Sequence, residues 1–390
     1  MSPLVQADRL EFSTRENEEV DLFERTVPRW LVHRTAVSEV LITGVRPHRR
    51  DVYRVGAQWA RGHSYYGPVA GRWHDPMLLG ESIRQSGLLL AHQALGIPQG
   101  QRFVTRTTSF EITEEGARLA GGPANVVLEV TLRDIRCRRE HVVSFACDVL
   151  AYRGGTLIGH GYAATDCVAP AVYRRLRGER AEARPSCTVV PAAEPGLVGR
   201  GREFDVVLGV PDGEAGNDQG VHLLRVDATH PVLFDHPVDH VPGMLVMEAA
   251  RQAALARLGL PHGLLVGCEA SFHRYVELDV PCVVSASEPT VGELGRRGLT
   301  VEFRQGVRWP APARSRSWTP GHRAPEPSHR PPFPQRRGGG VAVASAGAGA
   351  GAGVGVSVGV GVVWARCGAG GEAPAAVPRG GVTAEPGKPS

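Results

Sequence analysis

Two short segments of the chain carry the same polar side chains in the same order. Each has a glutamate, an arginine three positions later and a glutamine directly after it. These residues are Glu81, Arg84, Gln85, Glu248, Arg251 and Gln252. A glutamate and an arginine at this spacing lie on one face of a helix and can pair. Because the surrounding helices are apolar, the charges must either compensate each other in a buried salt bridge or face a cavity.

Histidines lie in the loops before both segments. His63 precedes the first, and His236 and His240 precede the second, where Asp235 and Asp239 stand directly before them. A histidine beside a carboxylate can accept and return a proton near neutral pH. These three histidines are therefore candidate acid–base residues, and the alternative is that they are polar loop residues without a role.

Both segments begin with residues that favour a helix start. Asp75 precedes Pro76, which is typical of an N-cap followed by the first helical position. Gly243 would allow a ligand to approach the start of the second helix closely. The free N–H groups at a helix start can hold a phosphate or polarise a carbonyl. We therefore count Gly243 among the candidate substrate-binding residues.

Other signals for chemistry are weak. Ser64 has a histidine beside it, but the chain has no Gly-x-Ser-x-Gly elbow, no strand–Gly-x-Gly-x-x-Gly–helix element and no His-Glu-x-x-His motif. The seven cysteines include no Cys-x-x-Cys pair, which argues against a zinc site or a disulfide framework. Reduced thiols and a cytoplasmic location are expected.

Composition excludes two further classes. The net charge of +4 is small for 390 residues, and the bases are scattered among acids, so no nucleic-acid partner is predicted. Residues 341–365 are uncharged, but they are rich in glycine, a poor helix former, and we do not predict a membrane span there. The N-terminus lacks the apolar stretch of a signal peptide.

The order of elements repeats along the chain. In each half an apolar helix ends at a Gly-x-Pro stop and is followed by a strand containing Ser-Phe; the stops are 96–98 and 259–261. Both helices are apolar around almost their whole circumference, which indicates burial on most sides. We predict an α+β fold, a tandem double hotdog. Each half has an antiparallel sheet wrapped around a buried central helix, and the two halves form a pseudo-dimer.

Changes in composition mark the expected domains. Residues 25–168 form the first hotdog domain, and the Pro/Gly-containing segment 169–202 is a linker. Residues 203–305 form the second domain, which is expected to be truncated before its last strand. Residues 306–390 are rich in Pro, Arg, Gly and Ala and are predicted to be disordered. A further hypothesis is that this tail is an out-of-frame translation.

The motifs together resemble those of the A-factor biosynthesis hotdog family, the γ-butyrolactone autoregulator synthases of filamentous actinobacteria. The resemblance is carried by residues 32–43, 58–66, 75–85 and 239–252, and it covers about residues 25–305. Within the last of these motifs, residues 241–249 are also similar to the wider hydroxyacyl-carrier-protein dehydratases.

The resemblance implies transfer of a β-ketoacyl group from acyl carrier protein to a hydroxyl of dihydroxyacetone phosphate. The ester would then close to a butenolide phosphate on the way to a γ-butyrolactone. It implies that Glu81 or Glu248 deprotonates or orients the hydroxyl, and that Arg84 or Arg251 binds the phosphate or the oxyanion. His63, His236 and His240 would assist the catalysis. The further substrate-binding candidates are Arg61, Gln85, Gln252 and Gly243. No metal or redox cofactor is implied.

Two departures leave alternatives open. The histidine loop of the second half is expected to be shorter, so the dehydratase spacing between histidine and glutamate is not reproduced. The truncated second sheet would also leave an open edge. The alternatives are a hotdog thioesterase or dehydratase, and an inactive hotdog that binds acyl chains or a partner. If only one site works, we expect it near Glu81 and His63.

Overall fold

A computed structural model of the chain describes residues 22–182, 190–210, 220–292, 296–306 and 358–364. The α-helices are α1 (Met77–Gln93), α2 (Glu114–Ala117), α3 (Pro170–Arg177) and α4 (Gly243–Leu258). The strands are β1 (Ile42–Arg49), β2 (Val52–Trp59), β3 (Arg102–Ile112), β4 (Ala124–Arg138), β5 (His141–Arg153), β6 (Thr156–Val168), β7 (Leu208–Gly209), β8 (Val221–Leu224), β9 (Leu265–Phe272), β10 (Cys282–Ala286), β11 (Thr290–Val291), β12 (Arg297–Gln305) and β13 (Val358–Trp364). Short 3-10 turns lie at Arg29–Val32, Val37–Glu39, Gly178–Glu182, Pro195–Val198 and Glu203–Asp205.

The described strands form one antiparallel sheet. Its order is β1-β2-β4-β5-β6-β3-β9-β13-β12-β10-β8-β7, and β11 pairs with β12 outside this path. The first half of the chain joins the second where β3 pairs with β9, with Thr107 opposite Ser271 and Glu111 opposite Gly267. The sheet therefore continues without interruption from one half to the other.

Helix α1 lies on the first half of the sheet and contacts β1, β2, β3 and β6. The side chain of Asp75 accepts a hydrogen bond from the backbone N–H of Met77 at 2.9 Å, so it caps the helix start as predicted. A Cβ atom at Gly161 of β6 would lie 2.3 Å from the Cδ1 atom of Ile83. The same Cβ atom would lie 2.6 Å from the backbone oxygen of Ser109 in β3, which cannot move aside as a side chain can, so glycine is required there.

Helix α4 has the same relation to the second half of the sheet. It contacts β7, β8, β9, β10, β12 and β13, and it ends at Gly259, which adopts the left-handed conformation of a C-cap. Almost all of its residues are buried, including Glu248 and Arg251. Within the described residues, no helix is long and apolar enough to cross a membrane.

Strand β13 corrects one sequence-based prediction. It lies between β9 and β12, which is the position that β6 has between β3 and β5 in the first half. The disorder predicted for 306–390 therefore does not extend to Val358–Trp364, and this strand occupies the place of the last strand that the truncated second domain was expected to lack. Valine has a high β-propensity, and pairing on both sides outweighs the cost of the glycines. The rest of this segment beyond Gly306 lies outside the described residues.

The predicted linker 169–202 is also more structured than expected. It contains α3, which begins at Pro170, and two of its helical residues, Tyr173 and Arg177, are buried. Proline is tolerated at the first helical position, so its presence marked a helix start there and not a flexible connection.

Candidate functional site

The carboxylate of Glu81 is buried and is surrounded by donors. Its Oε1 atom lies 2.5 Å from Nη2 of Arg34 and 2.7 Å from both Nη2 of Arg84 and Nε2 of Gln85. Its Oε2 atom accepts from Nε of Arg84 at 2.9 Å. Burial raises the pKa of a carboxyl, but Arg34 and Arg84 outweigh it and hold the pKa of Glu81 well below its ordinary value. Such a carboxylate is a weak base.

The same arrangement surrounds Glu248. Its Oε1 atom lies 2.7 Å from Nη2 of Arg200, 2.8 Å from Nη2 of Arg251 and 2.7 Å from Nε2 of Gln252. Burial opposes ionisation here too, but Arg200 and Arg251 lower the pKa of Glu248 to about 2. Arg34 and Arg200 were not among the residues predicted from the sequence. Arg34 precedes Glu39 at the same spacing at which Arg200 precedes Asp205, and this repeat is the sequence signal that could have identified both arginines.

Gln85 and Gln252 tie the helices to the loops that cover them. Gln85 accepts from the backbone N–H of Leu41 at 2.9 Å and donates to the carbonyl of Glu39 at 2.8 Å. Gln252 makes the matching bonds with Val207 and Asp205 at 2.9 and 3.0 Å. Both side-chain amides form hydrogen bonds with buried backbone groups that would otherwise lack partners, so their role is structural.

His63 holds its own loop in place. Its Nδ1 atom accepts from the backbone N–H groups of Tyr65 and Tyr66 at 3.2 and 3.1 Å, and its Nε2 atom lies 3.4 Å from Oε2 of Glu39. With Nδ1 as the acceptor, Nε2 carries the hydrogen and lies beside the carboxylate of Glu39. The Nδ1 atom of His63 is therefore committed to holding its own loop.

His230, and not His236 or His240, is the counterpart of His63. Its Nδ1 atom accepts from the N–H groups of Val232 and Leu233, and its Nε2 atom lies 3.5 Å from Oδ1 of Asp205. Burial lowers the pKa of His230. His230 stands as far before Glu248 as His63 stands before Glu81, so the expectation of a shorter second loop is wrong. His236 and His240 were predicted in its place because each directly follows an aspartate, whereas His230 is marked only by its distance from Glu248.

The two copies differ at their second arginine. The side chain of Arg84 is 28% exposed, whereas that of Arg251 is 5% exposed and its Nη1 atom lies 3.6 Å from Oδ2 of Asp75. Within the described residues, Nη1 of Arg84 has no hydrogen-bond partner, because its bonds to Glu81 and Val32 use Nε and Nη2. Arg84 can therefore bind a ligand, while Arg251 is neutralised.

Arg84 lines a cavity of about 930 Å³ between α1, the first residues of β3 and the loop before α4. One part of its wall is cationic and polar, with Arg34, Arg84, Arg102, Arg274, His33, His236 and His240. Another part is apolar, with Ile83, Leu88, Phe103, Phe145, Val246, Met247 and Phe272. This combination suits a substrate with an anionic group and an apolar chain.

His240 is held by a carboxylate in this cavity. Its Nδ1 atom lies 2.9 Å from Oδ1 of Asp239. The Oδ1 atom also accepts from the hydroxyl of Tyr173 at 2.8 Å, and the Oδ2 atom accepts from Nε of Arg177 at 2.8 Å. Burial opposes the charge, but hydrogen bonds from His240, Arg177 and Tyr173 hold the pKa of Asp239 well below its ordinary value. Asp239 stays ionised and orients the imidazole, and no described residue bonds to Nε2 of His240.

The remaining candidates divide between the cavity and other places. His236 lines the cavity with its Nδ1 atom 3.7 Å from Oδ2 of Asp235, and burial together with Arg84 lowers the pKa of His236. Gly243 also lines the cavity as the first residue of α4. Arg61 is exposed and only approaches the carbonyl of Gly121 at 3.4 Å. Among the described residues, no cluster of three or more His, Cys, Asp or Glu side chains could hold a metal ion.

Comparison with known proteins identifies the family. The profile of the A-factor biosynthesis hotdog domain matches residues 16–169 and 182–317. A protein of Streptomyces virginiae is 42% identical over 280 residues, which cover 72% of this chain and 93% of that protein. The chain belongs to the A-factor biosynthesis hotdog family. The resemblance seen in the motifs is thereby confirmed.

A second relative, from Streptomyces coelicolor, is 37% identical over 265 residues, which cover 67% of this chain and 82% of that protein. Both relatives are named 2-oxo-3-(phosphooxy)propyl 3-oxoalkanoate synthase. Among solved structures, a putative oleoyl thioesterase from Lactobacillus plantarum aligns with 80% of this chain and 96% of its own at 10% identity and a TM-score of 0.44. Membership of the A-factor hotdog family, with the antiparallel sheet and few helices, assigns the hotdog fold.

Proposed function

We propose that this chain transfers a 3-oxoacyl group from acyl carrier protein to the hydroxyl of dihydroxyacetone phosphate. The name of its relatives describes the ester that such a transfer forms, a 3-oxoalkanoate of the phosphorylated hydroxyketone. The observation that carries the proposal is the cavity in which Arg84 and the Asp239-oriented His240 share a wall with apolar side chains.

The proposed transfer involves two substrates, and one histidine carries the proton between them. The hydroxyl oxygen attacks the thioester carbonyl carbon while Nε2 of His240 takes the hydroxyl proton. The C–O bond forms, the C–S bond breaks, and His240 returns the proton to the leaving thiolate. The products are the ester phosphate and the free thiol of the carrier, and the step requires no metal or redox cofactor.

Arg84 is proposed to bind the phosphate. An arginine with an uncommitted Nη1 atom at the edge of an otherwise buried ion pair can form charge-assisted hydrogen bonds to phosphate oxygens. Glu81 then acts as a positioning residue that fixes the guanidinium, because its own pKa is too low for a base. Backbone N–H groups at the start of α4, beside Gly243, would stabilise the developing oxyanion.

We further propose that the chain is a tandem double hotdog acting as a pseudo-dimer, with units at 25–168 and 203–305 and β13 completing the second. The matched clusters around α1 and α4 support this, as do the bonds that cross between halves. Nη1 of Arg34 donates to the carbonyl of Val232 at 3.1 Å, and Nη1 of Arg200 donates to that of Tyr65 at 2.5 Å. The working site is assigned to the copy with Arg84, and the copy with Arg251 is structural.

Replacing His240 tests the proposal. The variant His240→Gln should lower kcat for ester phosphate formation by about 10²–10⁴-fold, since general acid–base catalysis contributes that much. The product is measured by mass spectrometry after mixing 3-oxoacyl carrier protein with dihydroxyacetone phosphate. His141→Gln is the control, because His141 is exposed at the start of β5 and does not line the cavity. A wild-type protein that released only free 3-oxo acid would be a thioesterase, and an unchanged rate in His240→Gln would exclude His240 as the base.

A further inference from the structure

The buried face of helix α3 is fixed beside the cavity. Tyr173, which lines the cavity, donates to Asp239, and Arg177 bridges Asp239 and Glu277 at 2.8 and 2.7 Å. The guanidinium of Arg177 also lies 4.2 Å from the ring centre of Tyr275. The helix therefore has a defined position next to His240, although it lies between the two halves of the chain.

The opposite face of α3 is exposed and apolar. Leu176 is 67% exposed and Val172 is 40% exposed, and the two stand four residues apart, so they share one face of the helix. Exposed Arg174 and Arg175 lie between them in sequence. One exposed apolar residue would be ordinary, but an apolar pair with adjacent cations beside a cavity is typical of an interaction surface.

Cations continue from α3 around the rim. Arg102 and Arg274 are exposed and line the cavity, and the guanidinium of Arg102 lies 5.4 Å from the ring centre of Tyr173. Within the described residues, Arg102, Arg174, Arg175 and Arg274 form no ion pair with an acidic side chain, whereas Arg180 is paired with Glu277 and Asp279. The rim therefore presents uncompensated positive charge.

We propose that this rim, formed by Val172, Arg174, Arg175, Leu176, Arg102 and Arg274, is the docking surface for the acyl carrier protein. The partner it fits has an acidic helical face with a few apolar side chains, which would cover Leu176 and pair with the arginines. The inference rests on the proposed function, in which the acyl group arrives as a thioester on a protein. Docking here would bring that thioester past Tyr173 to His240.

Charge and geometry favour a protein partner that delivers its cargo into the cavity. Opposite charges at a rim accelerate encounter and fix orientation, and their effect falls with ionic strength. The apolar contact at Leu176 supplies the part of the binding that salt does not remove. The phosphate of the acceptor needs only Arg84 inside the cavity, so the arginines of the rim remain for the carrier.

The test uses the full chain with a charge reversal on α3. Arg174→Glu/Arg175→Glu should weaken the affinity for 3-oxoacyl carrier protein, measured by fluorescence anisotropy, by about tenfold, and more at low salt. The control Arg136→Glu/Arg138→Glu makes the same charge change at exposed positions of β4 that do not line the cavity. Leu176→Ala is the second variant, with a smaller loss expected that depends little on salt.

Turnover with two donors separates docking from chemistry. With the carrier-bound donor, kcat/KM of the α3 variant should fall by about tenfold, mostly through KM. With the same acyl group on N-acetylcysteamine, its rate should stay within about twofold of wild type, because the cavity is intact.

Several outcomes would overturn the docking proposal. These are unchanged carrier affinity in the α3 variant, equal losses with both donors, no binding of carrier by the wild type, and binding to anionic vesicles in place of carrier protein. Carrier binding that depends on α3, without any ester phosphate from the wild type, would support docking while contradicting the proposed transfer.

Discussion

At the scale of single residues, the glutamates of α1 and α4 are the clearest case of a changed interpretation. Glu81 and Glu248 each accept hydrogen bonds from two arginines and a glutamine, and both carboxyl pKa values lie below the ordinary range. Both carboxylates therefore orient the guanidinium groups of neighbouring arginines and do not act as bases. The clusters around α1 and α4 differ in the further contacts of their helical arginine, because Asp75 forms an ion pair with Arg251 but not with Arg84.

Arginine deletions should separate a binding role from a structural role. Arg84→Ala should lower kcat/KM for dihydroxyacetone phosphate by about 10–100-fold, because a charged hydrogen bond to phosphate contributes about 1.5–3 kcal/mol. Stability should change little, since Glu81 keeps Arg34. Arg251→Ala should instead lower the melting temperature, because Asp75 is left buried and without its cation.

The acceptor without phosphate provides the control for this pair. Dihydroxyacetone should be used about equally poorly by wild type and Arg84→Ala, because the contact that Arg84 makes is absent from it. A similar fractional loss with both acceptors would show that Arg84 does not bind the phosphate.

A pH dependence is expected from His33. Burial, followed by the charges of His92 and Arg84, lowers the pKa of His33 from 6.5 to about 4, and its Nε2 atom lies 2.9 Å from Nε2 of His92. Between these pH values the unfolded chain binds the proton and the folded chain does not. The stability that His33 contributes is thus complete above pH 6.5 and is lost as pH falls towards 4.

His33→Asn should flatten this part of the profile. His33 has a φ of 51°, a left-handed conformation that asparagine tolerates, so the variant should fold. Melting temperatures between pH 7.5 and 4.5 should fall less steeply than in wild type, by on the order of 5 °C over the range. Parallel curves for the two proteins would contradict the assigned role of His33.

At the scale of elements, prediction from sequence succeeded where the signal is local. Helices α1 and α4 and the β5–β6 hairpin follow from apolar periodicity, an N-cap and a Gly-Gly turn. Helix α3 was missed because a proline-containing stretch between repeats was interpreted as a linker. The paired loops at His63 and His230 were missed for another reason. Their likeness lies in spacing, while the residues around the two histidines differ.

The anchor of α3 can be tested through its exposure to protease. Arg177 is buried between Asp239 and Glu277, so Arg177→Gln leaves Asp239 without its arginine and Glu277 with only the half-exposed Arg180, and it should loosen the helix. Trypsin should then cleave after Arg174 and Arg175 about tenfold faster, since local opening exposes the backbone.

The matched control is Arg180→Gln, which removes a half-exposed cation that shares Glu277. It should leave the cleavage rate close to that of wild type, because Arg177 still holds both carboxylates. Equal cleavage of the wild type and Arg177→Gln would show that α3 is anchored by its other contacts.

At the scale of the whole molecule, the sheet depends on a strand that is far away in sequence. In the first half β6 follows β5 through a two-residue turn, whereas in the second half the same place beside β12 is taken by Val358–Trp364. The sequence indicates that a strand is needed after Gln305, but it does not indicate which segment supplies that strand. Pairing between distant segments leaves no local signature, and the glycines of this segment favoured a prediction of disorder.

This dependence gives a sharp test of the complete fold. Val360 of β13 stands opposite Ala270 of β9 and Val301 of β12, so Val360→Pro removes a ladder donor inside the sheet. Stability should fall by about 3 kcal/mol, and edges exposed at β9 and β12 should promote association between chains. Chemical denaturation and light scattering measure the two effects, and Val382→Pro, outside the described residues, is the control.

If both variants unfold at the wild-type denaturant concentration, the sheet does not need β13, and the second half must be stable with its edge open. If only Val360→Pro is destabilised, the segment after residue 306 is part of the folded protein and cannot be removed without loss of the second half of the sheet.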